Sequence, residues 1–348
     1  MKTVSIGGRR VGGSAPCFII AEISCNHLQK KGYALKLIEE AKKAGADAVK
    51  FQTYTPDTIT LKVNNEYFRI KGTLWAGKTL YDLYSEAYTP WDWFPELKEK
   101  AEKEGLVFFS SPFDETAVDF LEKLGVPAYK IASFEINHIP LLKYVAAKKK
   151  PVIISSGVAT AEDLELAVKT VRGQGNDDII LLKCTSAYPA PPDEMNLRAI
   201  PDIAERFDLV PGLSDHSRGI VAPVVAVALG AKAIEKHITL DRKMGGPDAE
   251  FSLEPAEFAA MVRAVREAEQ ALGTSTYELG KKTKEHLFAM RSIFVAEDIA
   301  KGGALTRKNV RVVRPGYGLQ PKHYEEVLGK KAKKALKKGT PLSLDLIE

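Results

Sequence analysis

Short apolar runs alternate with longer amphipathic stretches eight times over the first three quarters of the chain. The runs occupy residues 18–24, 48–54, 107–112, 128–133, 152–157, 179–186, 209–217 and 233–239. Each has strand length and is rich in β-branched or aromatic residues. Between them the apolar positions follow helical spacing, as in Tyr33, Leu37, Ile38 and Ala41, or Leu164, Ala167, Val168 and Val171. Start and stop signals agree with this reading. Thr160 stands ahead of Glu162 and Asp163, Thr89 and Pro90 precede Trp91, and Gly45, Gly105 and Gly125 follow helical runs where a left-handed cap belongs. A last amphipathic helix is predicted over 255–272. Eight such strand–helix units predict a closed (β/α)8 TIM barrel. The alternative, a doubly wound open sheet, usually carries a glycine-rich turn after its first strand, and the segment EISCNH at 22–27 contains no glycine.

The pattern changes at both ends. Residues 4–11, centred on Gly7 and Gly8, predict an N-terminal β-hairpin (within 1–14) that caps the barrel bottom. Residues 273–286 are polar and read as a linker, and 287–348 hold short strand-like pieces punctuated by glycine: SIFVAEDI, KGG, VRVVRPGYG. The expected organisation is therefore a barrel domain over 1–272, a linker over 273–286 and a small C-terminal β-rich module over 287–348. One connection is far longer than usual. Residues 55–89, between the second strand and its helix, carry Trp75 with Tyr67, Tyr81, Tyr84 and Tyr88. Long loops at the catalytic face commonly serve as lids or pocket walls.

Composition narrows the setting. The 348 residues are 45% hydrophobic and 27% charged, ordinary for a globular protein. Cys17, Cys25 and Cys184 form no CxxC pair, which points to a reduced, cytoplasmic compartment. The start MKTVSIGG has no hydrophobic signal core, and the longest apolar stretch, 221–231, is too short to span a bilayer, so no membrane role is expected. A net charge of +5 suits small anionic ligands and does not argue for nucleic acid. The basic run Lys330, Lys331, Lys333, Lys334, Lys337 and Lys338 has no interleaved aromatics and reads as a solvated face, with Ala332, Ala335 and Leu336 turned inward. Gly72, Gly77, Lys78 and Thr79 match a nucleotide-binding P-loop pattern, but that motif needs a buried strand before it, and here it falls inside the long loop.

Strand ends carry the candidate chemistry, because in a parallel barrel they converge on one mouth. Lys50 and Lys130 interrupt apolar strands, with Lys183 similarly placed. A lysine lining a barrel needs an anionic partner, since removing an ammonium from water costs on the order of several kcal/mol. With the hydroxyls of Ser133, Ser155, Ser186 and Ser214 these lysines outline a phosphate-and-carboxylate pocket. Glu22, at the end of the first strand, is a candidate acid/base or simply a counter-ion. Glu135 and Asp248 suit hydrogen bonds to sugar hydroxyls. His216 and His237 end successive strands and are candidate ligands of a catalytic, open divalent site for manganese, magnesium or cobalt, with Asp215 and Glu235 as supporting partners. Two other classes compete: a Schiff-base aldolase with Lys130 or Lys183 as nucleophile, and a non-catalytic carbohydrate- or ice-binding protein built on the C-terminal module.

The segments AEISCNH (21–27), DAVKFQTY, SSPFDE, YKIASFEI, ISSG, KCTSAYPAP, GLSDHS and EKHITLD with GGPD resemble, in order, the signatures of the sialic acid synthase family. The stretch RSIFVAEDIAKGGALTRKNVRVVRPGYGLQP is similar to that family's antifreeze-like (SAF) domain. The loop WAGKTLYDLYSEAYTPWDW and CTSAYPAP look most like its pseudaminic acid synthase branch. The resemblance implies a metal-dependent condensation of phosphoenolpyruvate with an open-chain N-acylated amino sugar. For that branch the sugar is 2,4-diacetamido-2,4,6-trideoxy-L-altrose, and the products are pseudaminic acid and phosphate, formed by C–O cleavage. N-acetylneuraminate and legionaminate synthases are the neighbouring alternatives. His216 and His237 are the implied metal ligands; Glu22, Lys50 and Gln52 the implied catalytic residues. Lys50, Lys130, Ser133, Ser155, Ser186 and Ser214 are implied to bind phosphoenolpyruvate, although some neuraminate-making relatives carry asparagine at position 186. Gln52, Glu135, Tyr188 and Asp248 are implied to meet the sugar. Arg314 is implied to join them from the partner subunit of a homodimer, domain-swapped through the SAF domain.

Overall fold

The computed structural model describes residues 2–348, and the chain divides after Gly273 into two compact units. The first opens with the hairpin β1 (Thr3–Ile6) and β2 (Arg9–Gly12), joined through Gly7 and Gly8 at φ +55° and +80°. Two consecutive left-handed residues match the twist of a tight hairpin and explain the glycine pair. Eight parallel strands follow: β3 (Phe18–Glu22), β4 (Ala48–Thr53), β5 (Val107–Pro112), β6 (Tyr129–Ile131), β7 (Val152–Ser155), β8 (Ile179–Cys184), β9 (Val210–Asp215) and β10 (Ala233–His237). They close in sequence order, with β10 pairing back onto β3. The architecture is therefore the closed barrel and not the open sheet. Most strands stop about two residues before the limits read from hydrophobicity, because the last residues leave the ladder to form the mouth; Ser133–Glu135, for example, makes a 3-10 turn.

Alternation along each strand builds two layers. Phe18, Ile20, Val107, Phe109, Ile153, Ile180 and Leu182 point inward, where Val4, Ile6 and Val11 of the hairpin seal the bottom. Residues of the opposite parity, such as Ile19, Val49, Phe108 and Leu181, pack against the surrounding helices. The inner filling is tight: a Cβ added at Gly212 would collide with Leu182 Cδ2 and lie 2.6 Å from the Ala233 carbonyl. Helix ends follow the sequence signals. Thr160 accepts from the Asp163 amide while Asp163 accepts from the Thr160 amide, and Gly45, Gly105 and Gly125 all have φ between +72° and +90°. The helix Pro255–Leu272 forms as expected.

The long connection contains two short helices, Pro56–Ile59 and Leu80–Ala87. Thr79 caps the second, and Lys78 is paired with Glu86. An antiparallel bridge between Arg69 and Thr79 stands where a P-loop would need a buried parallel strand. In the second unit, β11 (Ser292–Val295) and β12 (Val310–Val313) pair antiparallel over a small core that includes Ile293, Val310, Leu336 and Leu342. Regular strand pairing is limited to these two; the rest is held by isolated bridges and turns. The segment 273–286 contains a helical turn, Lys281–Lys284. In the basic run, Ala332 and Leu336 are buried and the six lysines are exposed, but Ala335 is exposed too, contrary to its expected inward position. Among the described residues no helix is long and apolar enough to cross a membrane.

One buried ion pair ties β9 to β10 outside the inner layer. Lys236 Nζ lies 2.6 Å from Asp215 Oδ2, both side chains are inaccessible, and the same ammonium donates to the Ser217 carbonyl. Asp215 Oδ1 accepts in turn from the Ser217 amide at 2.8 Å. Burial pulls the Lys236 pKa down while Asp215 opposes the fall. Removing one member strands the other charge in the interior. Lys236→Met is therefore expected to lower unfolding free energy by about 3–5 kcal/mol, whereas Lys236→Met combined with Asp215→Asn recovers part of the loss. Denaturant midpoints of the two variants against the parent provide the check.

Candidate active site

At the top of the inner layer the barrel places four charged side chains side by side. Lys50 Nζ is 2.7 Å from Glu22 Oε2 and 3.6 Å from Glu235 Oε1, and Lys130 Nζ is 3.9 Å from the same Glu235 oxygen. All four are nearly inaccessible. They share this layer because Glu22, Lys50, Lys130 and Glu235 have the same inward parity, with Glu22 in register between Lys50 on one side and His237 on the other. Lys50 also donates to Ser111 Oγ at 3.2 Å, Gln52 Nε2 to Glu22 Oε1 at 3.2 Å, and Ser214 Oγ to Glu235 Oε1 at 3.4 Å. Burial raises the Glu22 carboxyl to about 7, with Lys50 pulling it down and Glu235 pushing it up. Burial depresses Lys130, and it would depress Lys50 but for Glu22 and Glu235, which raise it.

Above this layer sit His216 and His237, ring centroids 5.3 Å apart. The His216 Nδ1–H donates to the Thr185 carbonyl at 3.2 Å, which leaves Nε2 with its lone pair. Burial, with His216 and the lysines, holds His237 well below the usual histidine range, so it is neutral. Its Nδ1 is buried without a hydrogen-bond partner, 3.7 Å from Asp248 Oδ2. Two imidazoles at this spacing, one oriented by a backbone carbonyl and the other neutral with a nitrogen lacking a partner, fit a divalent ion. Among the described residues no group of three or more His, Cys, Asp or Glu side chains is placed to hold a metal ion. Cys184 Sγ approaches His216 Nδ1 at 3.7 Å, and His216 brings the thiol to about 7 against the effect of burial.

Ser133, Ser155, Glu135, Tyr188 and Asp248 line the same cavity. Burial raises Glu135 to about 7 even though Lys130 opposes it, and Ser24 donates to Asp248 Oδ2 at 2.6 Å. Ser186 is not in the cavity lining but sits beside Ser133 across Gly157, its hydroxyl buried and unpartnered. Six of the eight such side-chain atoms found among the described residues belong to this site or border it: those of Glu135, Ser155, Ser186, Glu235 and His237, and Glu22 Oε2, which meets Lys50 as an ion pair but not in hydrogen-bond geometry. Unsatisfied buried polar atoms are rare, and their concentration here marks a site built for a polar ligand.

Several expectations need correction. Lys183 has the outward parity of Ile179 and Leu181, is absent from the cavity lining and donates to the Cys184 carbonyl, so it cannot serve as the nucleophile of an aldolase at this mouth. Asp215 faces away from His216 into the pair with Lys236. Glu235 faces the lysines, in the inner layer, and not the outer side of the histidines. Arg314 calls for no correction: it lies in the second unit, exposed, just after β12. Sequence reasoning also missed Gly157. Its amide donates to Ser133 Oγ at 3.1 Å, and a Cβ there would collide with Ser186 Oγ and fall 2.6 Å from Ser133 Oγ. The glycine of ISSG, directly after a strand end flanked by hydroxyls, was the available signal. Of the aromatic and aliphatic lining, Tyr54, Phe113, Trp75 and Leu83 fall within motif segments singled out in the sequence, whereas Ile59 carries no such signal.

Comparison with known proteins agrees with this geometry. The NeuB family model matches residues 37–277 and the SAF domain model residues 290–348. Pseudaminic acid synthase of Campylobacter jejuni is 49% identical over 93% of this chain and 95% of its own length. The Helicobacter pylori protein of the same name is 46% identical over 96% and 98%. Among solved structures, the N-acetylneuraminic acid synthetase of Leptospira borgpetersenii superposes with a TM-score of 0.74 at 35% identity, over 82% of this chain and 95% of that one. With a paired-lysine barrel mouth, a facing histidine pair and matches over nearly its whole length, this chain belongs to the NeuB family of sialic acid synthases and carries a C-terminal SAF domain.

Proposed function

We propose that this chain is a pseudaminic acid synthase, joining phosphoenolpyruvate to 2,4-diacetamido-2,4,6-trideoxy-L-altrose with release of phosphate by C–O cleavage. The observation that carries the reading is the pair of buried ammoniums, Lys50 and Lys130, in one layer directly below His216 and His237. Lys50 and Lys130 hold the anionic donor, with Ser133, Ser155, Ser186 and Ser214 supplying neutral hydrogen bonds around it. In the ligand-free layer the two lysines are matched by Glu22 and Glu235, so a trianion entering it meets no spare positive charge. His216 and His237 would hold a divalent ion (manganese, magnesium or cobalt), which would offset that charge and supply Lewis acidity toward the acceptor aldehyde. Gln52, Glu135, Tyr188 and Asp248 orient the open-chain sugar, with Gln52 also fixing the Glu22 carboxylate. After the carbon–carbon bond forms, a water must add to the cationic carbon before phosphate leaves. Glu22 takes the proton from that water, since its carboxyl is paired with Lys50 in ionised form yet titrates near neutrality.

The domain assignment follows: catalysis by 1–272, a linker at 273–286, and an antifreeze-like module at 287–348. In this reading Arg314 reaches the N-acyl group from the partner subunit of a domain-swapped homodimer, and the enzyme works in the cytoplasm. The three cysteines, all buried free thiols, are in keeping with that compartment.

A panel of open-chain acceptors with the pseudaminic, legionaminic and neuraminic configurations, scored by phosphate release from phosphoenolpyruvate with manganese present, tests the assignment. The 6-deoxy altrose derivative is expected to have the highest kcat/KM, and activity is expected to vanish with a chelator and return with the metal; a neuraminic precursor leading the panel overturns the branch assignment. Glu22→Gln is expected to retain fold and metal binding while losing most turnover. In the parent, kcat/KM is expected to fall as pH drops through about 7, because the base is then protonated; a limb falling above that pH instead assigns Glu22 an acid role. Gly157→Ala displaces Ser133 and Ser186 and is expected to raise KM for phosphoenolpyruvate about tenfold to a hundredfold, with kcat for bound substrate less affected, by steady-state kinetics.

A further inference from the structure

The part of the cavity above the charged layer is walled from one side by a single loop. Ile59, Trp75, Leu83, Tyr84 and Ala87 all come from the long connection after β4, and none brings a charged group. The ionisable lining comes from the barrel strands and the loops that follow them. Trp75 is the unusual member. From 71 to 77 the chain is exposed except at this residue. Its indole turns inward, and its Nε1–H donates to the Pro247 carbonyl at 2.9 Å, directly before Asp248. The ring lies 5.5 Å from Tyr188, whose own ring is 4.5 Å from His216. A tryptophan with its N–H satisfied presents a rigid apolar face. Here that face bounds the cavity with Ile59 and Leu83.

We propose that Trp75, with Ile59 and Leu83, is the specificity wall for the acceptor. It receives the apolar, methyl-bearing end of the sugar and disfavours acceptors that place a hydroxyl there. This rests on the synthase reading above and adds the residues that choose the sugar. The physical basis is unequal desolvation. A methyl group set against these side chains leaves water favourably, whereas a hydroxyl loses its water partners and finds no free donor or acceptor on Ile59, Leu83 or Trp75, whose N–H is already given to Pro247; the one hydroxyl on this loop wall is that of Tyr84. Discrimination of this kind, from a pocket that lacks a partner for the extra group, is worth about tenfold to a hundredfold. The hydrogen bond to Pro247 sets the depth of the ring and so the width of the wall.

The test compares kcat/KM for the 6-deoxy diacetamido acceptor with its 6-hydroxy counterpart, at saturating phosphoenolpyruvate and manganese, in the parent, Trp75→Phe and Trp75→Ala. The parent is expected to favour the deoxy sugar by at least about tenfold. Trp75→Ala is expected to bring that ratio near one, through a raised KM for the deoxy acceptor, with KM for phosphoenolpyruvate and thermal midpoint unchanged. Trp75→Phe, which keeps a ring against Tyr188 but loses the bond to Pro247, is expected to retain an intermediate preference. Turnover of both sugars with the ratio unmoved in Trp75→Ala overturns the wall while leaving the synthase intact. No phosphate release with either sugar in the parent overturns the synthase reading, and the wall falls with it.

Discussion

Burial of ionised groups in the barrel interior is the constraint on which this structure depends. Two ammoniums and two carboxylates occupy one inaccessible layer, at separations of 2.7 to 3.9 Å. None of them is tenable alone in that environment. Together they form a cluster of balanced formal charge in which one oxygen of Glu22 and one of Glu235 lack a hydrogen bond, a preorganised place for another anion and cation to enter. The same cluster sets the acidity of Glu22 near neutrality, so the chemistry and the electrostatics of folding draw on the same atoms. An apolar filling of this layer would pack more easily, and it would have no means of holding a phosphate.

A second buried pair serves a different end. Lys236 binds Asp215 and the Ser217 carbonyl on either side of His216, and itself precedes His237. The backbone segments that present the two imidazoles are thereby fastened to each other through one ammonium. Geometry at a metal centre must be accurate to a fraction of an ångström, and positions held by rigid strands and saturated buried polar groups meet that demand better than loops do. The opposite requirement applies to the acceptor. In the reading proposed above, sugar choice falls to the connection after β4, a loop outside the barrel strands, as is common for (β/α)8 enzymes.

Much of the fold could be read along the chain. Eight apolar runs, the Gly7–Gly8 hairpin, the capping box at Thr160 and the final helix are local signals, and local backbone physics suffices to interpret them. The chemistry of the mouth was legible for a related reason: lysines in apolar strands and histidines at strand ends are costly unless they act together. Where the reading failed, the error came from orientation. Lys183 is expected at the mouth as a lysine in an apolar strand and Asp215 beside His216, although a strand sends adjacent residues to opposite faces; Glu235 shares the inward face of His237 but sits one layer deeper, among the lysines. Counting parity from Leu182, His216 and His237 would have placed all three correctly.

The sequence by itself determined the barrel, the kinds of group at its mouth and the family, because hydrophobic period, turn chemistry and ordered motifs are properties of neighbouring residues. Only the tertiary structure decided which of those groups meet, that Gly157 is the floor on which Ser133 and Ser186 stand, and that Trp75 comes back across the site to Pro247. Those contacts join residues far apart in the chain through barrel closure and loop packing. No periodicity records them, since their partners are chosen by where the strands end in space.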